Sequence, residues 1–253
     1  AMMLSLEEQE RYRRRYAQMR RNWRPSSHVY RDLVTARLSP AARVLDLGCG
    51  RGGIMEQLHP RAGAVFGLDP DPQSLEEHRA RGSIALVRGL AGALPHPDAS
   101  FDLVCSSWVL EHVEEPAVAF AEIARVLAPG GRFIFLTPNV RHPLLMLNRA
   151  LAWTQGRLVD RLYGRAEPDI FPAFYRANSE SRIEKLAEEA GLKRVSVQFV
   201  GDPTYLAFND LFFRLACLLE SAIPRRTRVH LVGEYRLIAA DGPSTGARPR
   251  SHS

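Results

Sequence analysis

Asp46, Gly48, Gly50 and Asp69 are the residues whose types and spacing point most directly to chemistry. The first three lie in Val44-Leu45-Asp46-Leu47-Gly48-Cys49-Gly50-Arg51-Gly52-Gly53, which reads as a short apolar strand, a carboxylate near its end and a glycine turn. Two classes of nucleotide cofactor use a strand followed by a Gly-rich turn, and Gly48, Gly50 and Gly53 spell the G-x-G-x-x-G of a dinucleotide site. Asp46 separates the two classes. A pyrophosphate seeks bare backbone N–H groups at a helix N-terminus, and a fixed negative charge beside it repels it. A nucleoside cofactor that carries cations and no phosphate suits the same carboxylate. Asp69, in Leu68-Asp69-Pro70-Asp71, follows the turn by about twenty residues, where an acid can accept both ribose hydroxyls. Sites for NAD place an acid there too, so Asp69 indicates a ribose and leaves the choice of cofactor to Asp46. Asp71 reads as the N-cap of the next helix.

Further motifs follow in order. Val87-Arg88-Gly89-Leu90-Ala91-Gly92-Ala93-Leu94-Pro95 leads into Ser100-Phe101-Asp102-Leu103-Val104, and then Cys105-Ser106-Ser107-Trp108-Val109-Leu110-Glu111-His112-Val113. Leu127-Ala128-Pro129-Gly130-Gly131 precedes another apolar run, Phe133 to Asn139. Across Val44–Asn139 the chain resembles the class I S-adenosylmethionine-dependent methyltransferases, in particular the type 11 small-molecule enzymes, whose first motif has the form hhDhGCGxG. The resemblance implies S-adenosylmethionine, with its ammonium and sulfonium, as the cofactor. It implies contacts from Asp46, Gly48, Cys49, Gly50, Asp69, Pro70, Leu90, Ala91 and Ser106. Leu90 departs from the pattern, since the family has an aspartate there that accepts the adenine amino group.

These residues need a frame. Strand-like runs occur at Val44–Leu47, Ala64–Leu68, Ile84–Arg88, Leu103–Ser106, Arg132–Thr137, Val195–Val200 and Val229–Ile238. Helix-like stretches at Arg51–Leu58, Pro72–Arg81, Pro116–Leu127, Ser179–Ala190 and Tyr205–Ile223 alternate with them. Alternation of this kind predicts α/β units: a Rossmann-like, mostly parallel seven-stranded sheet with helices on both faces. The family resemblance implies that it ends in an antiparallel hairpin. Residues 1–40 are expected to form an N-terminal helical arm or lid, with a helix over Ser5–Trp23. Residues 41–240 form the methyltransferase domain, with a helical cap insertion at about 140–178 and a helical insertion at about 202–228. The tail, 241–253, reads as disordered.

Acceptor choice should lie in the insertions. Phe171, Phe174, Tyr175 and Arg176 are the expected substrate-binding residues of the cap, which also holds Trp153 and Tyr163. His112 is the candidate general base, because imidazole titrates near working pH. Tyr175 is a second base or orienting candidate. Glu111 reads as a solvated or helix-start carboxylate. In the second insertion Asp210, Arg214, Cys217 and Ser221 form one stripe, leaving Phe208, Leu211, Phe212, Leu215, Leu218 and Leu219 as an apolar face. Such a face fits burial against the cap or a second subunit, a homodimer, or a peripheral membrane contact. The expectation is a small, apolar or lipid-linked acceptor and O-methylation. The alternative is a non-catalytic sensor or assembly module that binds the cofactor.

Composition excludes other classes. The net charge is +6, but Lys185 and Lys193 are the only lysines among 34 basic residues. That bias reads as the habit of a GC-rich genome. The cluster Arg11, Arg13, Arg14, Arg15, Arg20, Arg21 and Arg24 is read either as an amphipathic arm, with Tyr12, Tyr16, Met19 and Trp23 as its packing stripe, or as a positive lid for an anionic substrate or membrane. No Asp/Asn-Pro-Pro-aromatic motif follows the fourth strand, so nucleic acid is disfavoured. Cys49, Cys105 and Cys217 lack metal-ligand spacing, so no metal is expected. With no signal-like or membrane-length apolar stretch, a cytoplasmic protein is expected.

Overall fold

The computed structural model describes residues 6–147, 171–207 and 209–238. Trp153, Tyr163, Phe208 and the 241–253 tail lie outside these residues. The strands are β1 (Arg43–Leu47), β2 (Ala64–Asp69), β3 (Ala85–Arg88), β4 (Phe101–Ser107), β5 (Leu127–Pro138), β6 (Leu192–Val200) and β7 (His230–Leu237). They form one seven-stranded sheet in the order β3-β2-β1-β4-β5-β7-β6. β7 runs antiparallel to both β5 and β6, and the other neighbours are parallel. This is the expected Rossmann-like α/β fold. β5 begins at Leu127, so the Pro-Gly-Gly stretch lies within the strand.

The central strands are apolar on both faces because both faces are covered. Successive residues alternate: Leu45, Phe133 and Phe135 enter one core, and Val44, Leu103, Cys105 and Ile134 enter the other. Phe120 and Ile123 of α5 (Pro116–Val126) cover the first face, with Ile183 and Leu186 of α6 (Glu180–Glu189). Tyr30 and Val34 of α2 (Ser26–Thr35) cover the second, with Met55 of α3 (Ile54–Leu58). The helix expected from Arg51 starts instead at Ile54, after Gly52 and Gly53, and the one expected over Pro72–Arg81 stops at Glu76 as α4 (Pro72–Glu76). Asp71 caps α4 by accepting from the Gln73 and Ser74 N–H groups.

The arm helix is α1 (Leu6–Met19), and α2 is a separate helix that the arginine-rich stretch concealed. Tyr12 and Tyr16 are buried as the stripe required, whereas Met19 is exposed. They pack on Phe213 and Cys217 of α7 (Asp210–Ala222). Cys217 therefore belongs to the buried face of α7, with Phe213, Ala216 and Glu220, and not to an exposed polar stripe. Leu211, Phe212, Leu215, Leu218 and Leu219 are exposed. The single helix expected over Tyr205–Ile223 is broken into a 3-10 turn, Pro203–Leu206, and α7, capped by the Asn209 side chain. No described helix is long and apolar enough to cross a membrane.

Glu234 of β7 is 1% exposed and receives Arg37 beyond α2 and Arg132 of β5. These contacts join the N-terminal helices to the antiparallel edge of the sheet.

Candidate functional site

The carboxyl ends of β1, β2 and β4 meet at the glycine turn, where open α/β sheets place ligands. Gly48 and Cys49 donate their N–H groups to Leu68 O at 2.7 and 3.1 Å, pinning the turn to β2. Gly48 and Gly50 have φ of 72° and 50°, the left-handed region that glycine tolerates. A Cβ on Gly48 would stand 2.2 Å from Val109 Cγ2, so the post-β4 loop closes directly on the turn. Around Gly50 nothing lies within 4 Å of that position, which leaves its backbone open to a ligand.

Asp69 is 7% exposed and accepts from the Gly50 N–H through Oδ2 and from the Asp71 N–H through Oδ1, each at 2.9 Å. Asp46 is 6% exposed, with Cys105 Sγ 3.7 Å from its Oδ1. Burial pushes the Asp46 carboxyl up to about 7; the thiol hydrogen bond opposes this and the Asp69 charge adds to it. Such a carboxyl favours a nearby cation, whose charge would offset the cost of ionising it.

The remaining expected cofactor contacts differ in access. Pro70 borders the crevice beside Asp69 and is half-buried, as is Ala91. Leu90 is 63% exposed, so its side chain is at the surface rather than in a closed adenine slot. Cys49 is buried beneath the turn. Ser106 is fully buried, and its Oγ has no hydrogen-bond partner among the described residues.

The His112 loop and the Phe171–Arg176 segment do come together. His112 Nδ1 lies 3.2 Å from Pro172 O, and its ring meets Phe171 at 6.3 Å. Phe174 N and Tyr175 N both donate to Glu111 O, at 2.8 and 3.0 Å. Arg176 donates to Glu114 O and lies over the Phe174 ring. Tyr175 has φ 52°, an uncommon strain for an aromatic residue. Glu111 is not solvated: it is 4% exposed and accepts from Thr137 Oγ1, to which Asn178 also donates.

Motif reading passed over a cluster at the end of β5. His230 is 2% exposed, with Ser26 Oγ 2.9 Å from Nδ1 and the Tyr205 hydroxyl 2.8 Å from Nε2. Trp108 packs edge-on against it at 4.9 Å and has φ 59°. Burial, the largest cause, lowers the His230 pKa to about 4. These residues come from four separated segments without a shared spacing, so only the Trp108 position, next to a known loop motif, could have drawn notice. A cleft of about 880 Å³ lies away from the glycine turn, between the end of α1, α2, the end of β6 and α7. Arg20, Arg21, Arg24, Arg225 and Arg228 line it. Among the described residues, no group of three or more His, Cys, Asp or Glu side chains could hold a metal ion.

Residues 45–135 match the family model described as a methyltransferase domain. An uncharacterized methyltransferase of Mycobacterium tuberculosis is 39% identical over 150 residues, 56% of this chain and 60% of that protein. A ubiquinone biosynthesis O-methyltransferase of Neisseria meningitidis is 40% identical over 109 residues, 38% of this chain and 44% of that one. In both cases less than two thirds of the relative is spanned. The solved structure of an S-adenosylmethionine-dependent methyltransferase from Mesorhizobium loti shares the fold, with a TM-score of 0.60 at 20% identity over 84% of this chain and 98% of its own.

Proposed function

We propose that this chain is a class I S-adenosylmethionine-dependent methyltransferase over this domain and that it methylates a hydroxyl on a small, apolar or lipid-linked acceptor. The carrying observation is the clasp between Asp69 and Gly50, which puts a buried carboxylate and an open glycine backbone in one crevice, with Asp46 beneath. Asp46, Asp69 and the Gly48–Gly50 backbone would hold the cofactor, with Cys49, Pro70, Leu90, Ala91 and Ser106 as the rest of the proposed set. When bound, the cofactor supplies an electrophilic methyl on sulfur. Transfer is an in-line displacement, so what the protein must supply is chiefly orientation.

His112, Tyr175, Phe171, Phe174 and Arg176 are proposed to shape the acceptor side, and their mutual contacts support a common role. The hydroxyl preference rests on His112 and Tyr175 as candidate bases and draws support from the relative named as an O-methyltransferase. The exposed apolar face of α7 supports an apolar or lipid-linked acceptor presented at a membrane or protein surface.

Calorimetry with S-adenosylhomocysteine, followed by transfer of labelled methyl to a panel of hydroxylated aromatics and lipids, tests the reading. Binding of the demethylated cofactor and turnover on at least one hydroxyl are expected. NAD binding in its place would sink the assignment. The exposed Leu90, where the family resemblance implies an adenine-binding aspartate, favours one second reading: a module that binds the cofactor without turnover. Tight binding with no transfer to any of the panel would select it.

A further inference from the structure

We propose that the protein docks on an anionic membrane surface. The exposed leucines of α7 enter the lipid interface, and the arginine-lined cleft beside them takes the phosphate of a lipid headgroup. The inference goes beyond the choice of acceptor, since it concerns the surface on which the domain works.

Leu211, Leu215, Leu218 and Leu219 lie on one side of α7 and are 64%, 46%, 67% and 56% exposed. Single exposed leucines are ordinary, whereas four together on one helix mark a contact surface. Phe213, Ala216, Cys217 and Glu220 occupy the opposite side and are buried. The helix thus has its packed face already, and the leucines form a second one. α7 has 13 residues, about 20 Å of helix, against about 30 Å for the hydrocarbon core of a bilayer. It is too short to span, and a helix with such a face lies in the plane of the interface.

Charge along the edge of the face selects what it meets. Arg214, Leu218, Ser221 and Arg225 follow one another at intervals of three or four residues, which aligns them along one edge of α7 and the turn just beyond it. Ser221 and Arg225 also line the cleft, so the cleft and the leucine face adjoin. Arg20 and Arg21 line it just past the end of α1, beside the exposed Met19. The two carboxylates of the cleft have guanidinium groups of their own. Asp32 pairs with Arg24, and Glu220 faces Arg228 at 3.9 Å. Among the described residues, Arg20, Arg21, Arg214 and Arg225 have no carboxylate at ion-pair distance.

Uncompensated guanidinium groups beside an apolar face suit phosphates above hydrocarbon. A guanidinium holds a phosphate through two parallel N–H···O bonds, and an anionic leaflet attracts basic residues held near it. A second copy of the chain is a poorer partner. A two-fold contact through α7 would set the same arginine edge against itself. A zwitterionic surface is poorer too, because it offers the leucines hydrocarbon but gives the arginines no net charge.

The test is co-sedimentation with phosphatidylcholine vesicles made with and without phosphatidylglycerol. Wild type should bind the anionic vesicles about tenfold or more tightly than the neutral ones, and added salt should remove most of that difference. The pair Leu215→Ser with Leu218→Ser should weaken this binding about tenfold or more, as should the triple Arg20→Gln, Arg21→Gln and Arg225→Gln. All five positions are exposed, so both variants should keep wild-type thermal melts. In Leu215→Trp, the emission gained over wild type should shift to the blue, and be quenched by brominated lipid, only when anionic vesicles are added. No vesicle binding, equal binding to both kinds of vesicle, or full binding by either variant overturns the proposal. Gained emission that is already blue-shifted without lipid also overturns it, and light scattering then tells a second copy from cover within the chain. None of these readouts needs the cofactor. Failure to bind S-adenosylhomocysteine would sink the methyltransferase reading and leave this one standing.

Discussion

Asp69 Oδ2 accepts the Gly50 N–H at 2.9 Å, so the acid at the end of β2 builds the glycine turn as well as facing the crevice. Its other oxygen accepts the Asp71 N–H, at the start of the α4 cap. The proposed cofactor contact and local folding thus share one side chain.

Asp69→Ala should therefore lower stability without any ligand. Two half-buried N–H donors lose their partner, and the expected loss is about 1 kcal/mol, read as a lower denaturant midpoint. Affinity for S-adenosylhomocysteine should fall as well. An unchanged midpoint in the ligand-free protein would restrict Asp69 to ligand contact alone.

Gly48→Ala should fail for two separable reasons. The φ of 72° disfavours any Cβ, and Val109 occupies its place. Left-handed backbone costs a non-glycine residue about 1–2 kcal/mol, and overpacking adds about 1–3 kcal/mol. The pair Gly48→Ala with Val109→Ala should recover part of the second cost and none of the first. Full recovery in thermal melts would show that the clash was the whole problem.

The sheet was legible because parallel strands buried on both faces leave continuous apolar runs, and every such run became a strand. Helix limits were less so. Arg51-Gly52-Gly53 looks like the start of a helix by spacing, but it is used to shape the turn, and α3 starts only at Ile54. Cys217 was misplaced because both faces of α7 carry apolar residues, and which one is buried depends on Tyr12 and Tyr16, about 200 residues away in the chain. Glu111 was misread for the same reason, since Thr137 and Asn178 reach it from other elements. The glycine turn of the candidate site was legible because Asp46 to Gly50 form one contiguous motif. Ser26, Tyr205 and His230 share no spacing, so only the folded chain brings them together.

Glu234 gives a prediction about the frame. With its carboxylate 2% exposed between Arg37 and Arg132, removal leaves two partly exposed guanidinium groups without their acceptor. Glu234→Ala should cost about 1–3 kcal/mol, the scale for hydrogen bonds to a charged group. Adding Arg37→Met and Arg132→Met should return much of that loss. A Glu234→Ala protein with wild-type stability in urea would mean that the pairs contribute nothing.

Asp46 should make cofactor binding depend on pH. Its carboxyl is raised from 3.8 to about 7, mainly by burial, with Asp69 adding charge and Cys105 opposing through its hydrogen bond. Between those values the folded state holds a proton that the unfolded state has released. Its contribution to stability is thus fully present below the unfolded value and is lost as pH rises through about 7. A ligand bearing an ammonium has the opposite preference, because it is drawn to the ionised carboxylate. Affinity for S-adenosylhomocysteine should accordingly rise from about pH 5.5 to about pH 7.5, by at most about tenfold per unit, and then level off. Asp46→Asn keeps the shape and removes the titration, so its calorimetric affinity should be weak and flat over that window. Its thermal stability should also lose the decline that the wild type shows as pH rises toward 7. A flat wild-type affinity, or an equal slope in Asp46→Asn, would assign the cation preference of the site to another group.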